Sequence, residues 1–248
     1  MTSRSSKTIW LTARSDAALV RHDDLPLPIE IRPVRGARRL RLRLDDKRGL
    51  LKLTGPLRMN RKAALAWAAE QREWVEAQVA AMLPDEPFLP GAIIPIEGED
   101  IALQWEAARP RTAQMQDRRL VCGGPADGFA RRIETFLKRR ALDVLSQETA
   151  DIARLAGLEV ARVSIGDADT RWGSCTTGGR IRYSWRLILA PPAARRFVVA
   201  HEVAHLVHMN HGPEFKALER QLFDGDVAAA RLLLRRWGPR LRRLGRGD

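Results

Sequence analysis

His201-Glu202-Val203-Ala204-His205-Leu206-Val207-His208-Met209-Asn210-His211 holds four of the five histidines in the chain within eleven residues. Its first five residues read H-E-x-x-H. Residues four apart on an α-helix share a face, one turn apart. His201 and His205 can therefore aim two imidazoles at one ion, at the roughly 2.0–2.1 Å bond length that zinc takes with nitrogen. Glu202 is rotated from His201 by about 100° around the helix. It misses the ion but reaches water beside it, where a carboxylate can accept a proton and later return it to a leaving group.

A catalytic zinc site has a third protein ligand and one open position. His211 is the expected third ligand. A straight helix would carry it too far along the axis, so the pattern predicts a reversal after His205, with Asn210 and Gly212 tolerating left-handed backbone. His208 is the main rival, three residues from His205 on the same helical face, and Glu214 and Glu219 are further candidates. If His208 is not a ligand, it can still orient one.

Working outward, Phe197, Val198, Val203, Ala204 and Val207 give the histidine segment an apolar side for packing. Ala190-Pro191-Pro192 precedes it, and proline suits a first helical turn. The helix is expected to stop near Asn210, followed by helices over 213–222 and 227–237. Upstream, a long helix is expected over 127–155, then a strand near 160–165, a hairpin turn at Thr176-Thr177-Gly178-Gly179 and a returning strand over 181–189. The chemistry that this pattern predicts is zinc-dependent hydrolysis of a peptide bond, with Glu202 as catalytic base. The rival from another class is a nucleic-acid-associated protein with a structural zinc. Such a site needs a fourth protein ligand, from Cys175 or His208.

Two more segments join the histidine cluster: Thr170-Arg171-Trp172-Gly173-Ser174-Cys175 and Ser184-Trp185-Arg186-Leu187-Ile188-Leu189-Ala190-Pro191. Taken in order with Val198 to His205 and Asn210 to Phe215, they resemble the YgjP-like metal-dependent hydrolases, relatives of the SprT-like and WLM zinc metallopeptidases. The resemblance is strong over about 160–220 and looser before it. It implies a zincin-like catalytic domain, one zinc ion on His201, His205 and His211, and Glu202 as general base. Ser184 stands where many members carry Asn, a departure that touches none of these residues. The SprT-like and WLM relatives act on proteins bound or crosslinked to DNA, so a peptidase recruited to DNA-bound proteins is a further alternative.

Among supporting residues, Arg171 is a candidate to steady an oxyanion, although a structural ion pair is the plainer expectation. Tyr183, the chain's one tyrosine, is a candidate of the same kind, weighed against a packed strand residue. Trp172 is expected in the core, and Cys175 as a small packed residue.

The N-terminal half reads differently. Residues 1–25 lack periodicity and are expected to be loosely ordered. Ile29 and Ile31, then Leu40, Leu42 and Leu44 between arginines, then Leu51 and Leu53, alternate with period two and predict an antiparallel meander. Asn60 caps a helix expected to run to about Met82. Gly123-Gly124-Pro125 is a sharp break, so the expected division is a β-rich domain over 26–122 and the catalytic domain over 123–248. The expected fold class is α+β.

The 248 residues carry 43 basic and 30 acidic side chains, a net charge of +13, and nearly all of the basic residues are arginine. Such a surface attracts polyanions, so nucleic acid stands beside protein or peptide substrate as an expected partner. Arg235, Arg236, Arg240, Arg242, Arg243 and Arg246 form a dense C-terminal cluster, expected as a solvated tail or a phosphate contact. Two isolated cysteines make no disulfide framework. The N-terminus lacks the apolar core of a signal peptide, and no stretch approaches the roughly 18 apolar residues of a membrane span, so a cytoplasmic location is expected.

Overall fold

The computed structural model describes residues 8–14, 17–168 and 171–247, with side chains from residue 18 onward. Contacts divide the chain into Met1–Met82 and Leu83–Asp248. The expected boundary at 123 is thus corrected. Gly123-Gly124 is a point of close approach inside the second unit, where a Cβ on Gly123 would run into the carbonyl oxygen of Arg109.

In the first unit, β1 (Thr8–Arg14), β2 (Ala17–His22), β3 (Ile29–Pro33), β4 (Arg41–Asp45) and β5 (Leu50–Gly55) form a sheet in the order β1-β2-β3-β5-β4. Residues 8–14 and 17–22 are therefore a paired hairpin and not a loose end. β3 and β5 pair in parallel, with Ile29 opposite Leu51 and Ile31 opposite Leu53, which corrects the expected meander. The alternation did mark the wet face: Ile29, Ile31, Leu51 and Leu53 are fully buried, while Arg41 and Arg43 face solvent. Asn60 Oδ1 accepts from the Ala63 N–H at 3.1 Å and caps α1 (Arg61–Glu70), which breaks at Gln71 before α2 (Arg72–Ala80). Ala64, Leu65, Ala68 and Val75 complete this core.

The second unit is mixed α and β. β6 (Ile93–Ile96), β7 (Glu99–Trp105), β8 (Gln114–Gln116) and β9 (Arg119–Cys122) pair in the order β6-β7-β9-β8. β10 (Arg162–Gly166), β11 (Gly173–Cys175) and β12 (Arg180–Ser184) pair in the order β10-β12-β11, which leaves β11 at an edge. The 176–179 turn closes the β11–β12 hairpin, with Gly179 at φ +68°. The strand expected to reach Leu189 stops at Ser184, and Trp185–Leu189 coils into a fully buried 3-10 turn. Both sheets share one core with α3 (Phe129–Leu155), whose Ile133, Leu137, Ala141, Leu145 and Ile152 recur at helical spacing.

α4 (Pro192–Ala204) is buried on most sides, and α5 (Pro213–Leu222) and α6 (Val227–Leu241) complete the unit. The basic C-terminus is docked and does not trail free. Arg240 meets Glu86 at 2.9 Å and the buried Arg243 meets Asp85 at 3.1 Å. No helix among the described residues is long and apolar enough to cross a membrane.

Candidate metal centre

α4 ends earlier than the histidine spacing suggests. Its last residue is Ala204, and His205 takes the C-cap position. The chain then folds back through 206–212 and α5 starts at Pro213. The reversal needs no left-handed residue at its end, because Gly212 is extended (φ −68°, ψ −176°) and its N–H donates to Asn210 Oδ1 at 3.4 Å. An Asn side chain that grips the backbone two residues on does the work expected of a left-handed turn.

This path brings three imidazoles together. Ring centroids lie 4.9 Å apart for His201 and His205, 5.2 Å for His201 and His211, and 4.8 Å for His205 and His211. One nitrogen from each ring lies within 4.8 Å of the others. Phe215 forms the floor, its ring centroid 4.6–5.0 Å from all three.

The hydrogen bonds fix how these rings present themselves. His201 Nδ1 lies 2.7 Å from Glu219 Oε1, and His205 Nδ1 lies 2.9 Å from the His208 carbonyl. An ionised carboxylate and a carbonyl only accept, so both Nδ1 atoms carry the proton. Burial pushes both pKa values down, against the raising influence of those same acceptors, which favours neutral rings. Their Nε2 lone pairs then point into the cluster, where His201 Nε2 is 3.3 Å from His211 Nε2. Converging lone pairs repel one another and suit a cation, so the donor set fits a divalent ion.

Glu202 is buried at 5% exposure, and its Oε2 has no hydrogen-bond partner. Burial drives its carboxyl up to about 7, opposed by the charge of Arg171. β11 lies directly against it: a Cβ on Gly173 would sit 2.6 Å from Glu202 Cγ. Glycine here is a condition for the carboxylate to occupy its place.

The other candidates fall elsewhere. His208 contributes its carbonyl to His205, while its ring faces Glu214 at 3.8 Å. Glu219 bonds His201 Nδ1 from outside the cluster, and Arg231 Nη2 holds its second oxygen at 2.7 Å. Tyr183 is buried, with its hydroxyl 3.0 Å from Thr149 Oγ1. Cys175 is not among the clustered groups, and its thiol lies 3.4 Å from the Thr176 carbonyl. Trp172 packs on the core under Arg242, and Arg171 forms no ion pair among the described residues, contrary to the plainer expectation for it. Glu219 and Phe215 escaped the sequence reading in these roles. A glutamate four residues after Phe215 and three before Leu222, inside an apolar helical stripe, was the available signal.

The YgjP-like metallopeptidase-domain model matches residues 38–236. The chain belongs to the YgjP-like family. As a YgjP-like protein it carries a metallopeptidase domain, and the three-histidine cluster lies inside the matched span. Among solved structures, the metallopeptidase zymogen abylysin of Pyrococcus abyssi is similar at 17% identity with a TM-score of 0.35, covering 40% of this chain and 97% of that one. Among curated proteins, none matches the YgjP-like chain.

Proposed function

We propose that this chain is a zinc-dependent peptidase that hydrolyses peptide bonds, with the ion on His201, His205 and His211 and Glu202 as the acid–base residue. The observation that carries the reading is the convergence of three imidazole nitrogens within 4.8 Å while a buried, unpartnered carboxylate follows the first of them in the chain. Neutral imidazoles suit zinc, and three protein ligands leave one position open.

A zinc ion held by His201, His205 and His211 would supply Lewis acidity and acidify water. Glu202 takes the proton from the attacking water and delivers it to the leaving amine, steps that balance because one carboxylate both gains and returns the proton. Glu219 holds His201 in the tautomer that presents Nε2, and the His208 carbonyl does the same for His205. β11 sits at a sheet edge against Glu202, so an extended substrate pairing along it would pass its backbone by the carboxylate.

The structural-zinc alternative needs a fourth protein ligand. Neither Cys175 nor His208 joins the cluster among the described residues, which favours the open, hydrolytic site. Bound metal and casein proteolysis, measured in wild type and Glu202→Gln, test the proposal. The variant is expected to retain its metal and lose activity. Metal-loaded wild type that stays inert across broad protein and peptide panels would overturn it.

A further inference from the structure

The second unit holds another site of a different character. A hollow of about 540 Å³ opens between the segment before β8, the approach to α3 and the first turns of α3 itself. Arg111, Arg131, Arg132 and Arg139 line it, with Asp127 as the single carboxylate among the lining residues and the Phe136 ring in its wall. Residues 131, 132, 136 and 139 share one helical face, and Arg111 faces them across the opening.

What marks this hollow is four guanidinium groups around a single carboxylate. Some arginines of this unit find carboxylates, as Arg140 does with Glu97 at 2.6 Å and Arg195 with Glu148 at 2.8 Å. Among the described residues, Arg111, Arg131 and Arg139 form no ion pair. Arg132 donates from Nη2 to the Pro125 carbonyl, yet its Nε is buried without an acceptor.

The loop is also cut to make room for these side chains. A Cβ on Gly124 would lie 2.8 Å from Arg111 Cγ. One on Gly128 would lie 2.6 Å from Arg132 Nη1 and 3.8 Å from Arg131 Nη2. Two guanidinium groups therefore hang over the same backbone point. There the 27-residue α3 begins, with Gly128 as an N-cap that offers no side chain. The positive end of a helix dipole adds to their charge. Like charges gathered at a positive pole raise the local potential that an anion meets.

We infer that this cavity binds a run of phosphate groups. Guanidinium forks match phosphate oxygens two at a time. The hollow is many times the roughly 30 Å³ share of one water, so it accommodates more than one phosphate. Such a run is found in a nucleic-acid backbone and in a free polyphosphate. None of the lining residues belongs to the metal centre.

The test titrates the full chain with a labelled single-stranded oligonucleotide at several salt concentrations, with tripolyphosphate and polyglutamate as competitors. Arg131→Gln combined with Arg139→Gln should weaken binding about tenfold or more and lower the log–log salt slope by about 1.4. Arg111→Gln should act in the same direction. Arg38→Gln combined with Arg39→Gln, an equal charge change in the first unit, should shift binding by less than about twofold. Displacement of the oligonucleotide by tripolyphosphate, phosphate for phosphate, assigns the site to free polyphosphate. Retention of the oligonucleotide assigns it to the strand backbone. Equal losses in the cavity pair and the control pair, competition by polyglutamate as strong as that by phosphate polymers, or no binding at low salt would each overturn the inference. Glu202→Gln should bind as wild type does, so failure of the peptidase reading and failure of this one remain distinguishable.

Discussion

Glu219, a fully buried carboxylate on α5, lies 2.7 Å from Nδ1 of His201 on α4. Its other oxygen takes Nη2 of Arg231 at 2.7 Å, and the Arg231 guanidinium lies over the Phe197 ring at 5.4 Å. A buried charge is tolerated when it is paired and hydrogen-bonded on both sides. The pairing orients the His201 ring and raises the basicity of its other nitrogen. Glu219→Gln should therefore weaken metal binding by about 10- to 100-fold. Chelator competition measures this directly, and an unchanged affinity would show that α4 alone sets the ring.

Gly173 and Glu202 form the second relationship on which the site depends. Alanine at 173 would press its Cβ into the Glu202 side chain, 2.6 Å from Cγ and 2.7 Å from Cδ. The three atoms nearest such a Cβ all belong to Glu202 and none to a histidine. Gly173→Ala should keep its metal and lose about 100-fold in proteolysis, the scale of a 1 Å misplacement. Metal-to-protein ratio and casein turnover, measured on one preparation, decide it. Wild-type activity would mean that the edge strand yields instead of the carboxylate.

The histidine cluster was legible because its information is local. The i, i+4 pair and the returning His211 lie within eleven residues, and helix geometry fixes most of their relation. Glu219 and Phe215 were not, because their roles depend on how α5 packs against α4. Alternation at 29–31 and 51–53 marked strands and their buried faces, yet it carries no record of partner or direction. The parallel β3–β5 pairing was accordingly missed. Gly123-Gly124-Pro125 resembles a linker in composition, but its glycines serve close backbone and side-chain approach within one core.

Tyr183 separates a packed role from a catalytic one. Thr149 Oγ1 donates to the Leu145 carbonyl at 2.6 Å, so at the 3.0 Å contact with Thr149 the Tyr183 hydroxyl is the donor. Burial pushes its pKa well above the usual phenol range, consistent with a proton that stays in place. Tyr183→Phe should cost about 0.5–1.5 kcal/mol of stability and leave proteolysis unchanged. Denaturant unfolding beside a steady-state assay tests the pair of outcomes. A large fall in turnover at constant stability would restore the oxyanion role.

The C-terminal arginines act as clamps. Glu86 N–H donates to the Arg243 carbonyl at 3.1 Å and Gly245 N–H returns to the Glu86 carbonyl at 2.7 Å, binding the end of the chain to the segment before β6. Leu244 is fully buried, and Arg186 Nη1 donates to the carbonyls of Leu241 and Leu244 while its Nε holds Asp167 at 2.8 Å. Removing residues 242–248 would expose the Leu244 pocket and leave Arg186 short of an acceptor in a buried position. Together these should cost about 3–5 kcal/mol. Asp85→Ala, which removes one partner of Arg243, should cost less, on the order of 1–3 kcal/mol. Chemical denaturation of both variants measures the difference. A truncated chain as stable as wild type would return these arginines to the role of a free basic tail, and the unit would then have to be stable without the Arg186 clamp.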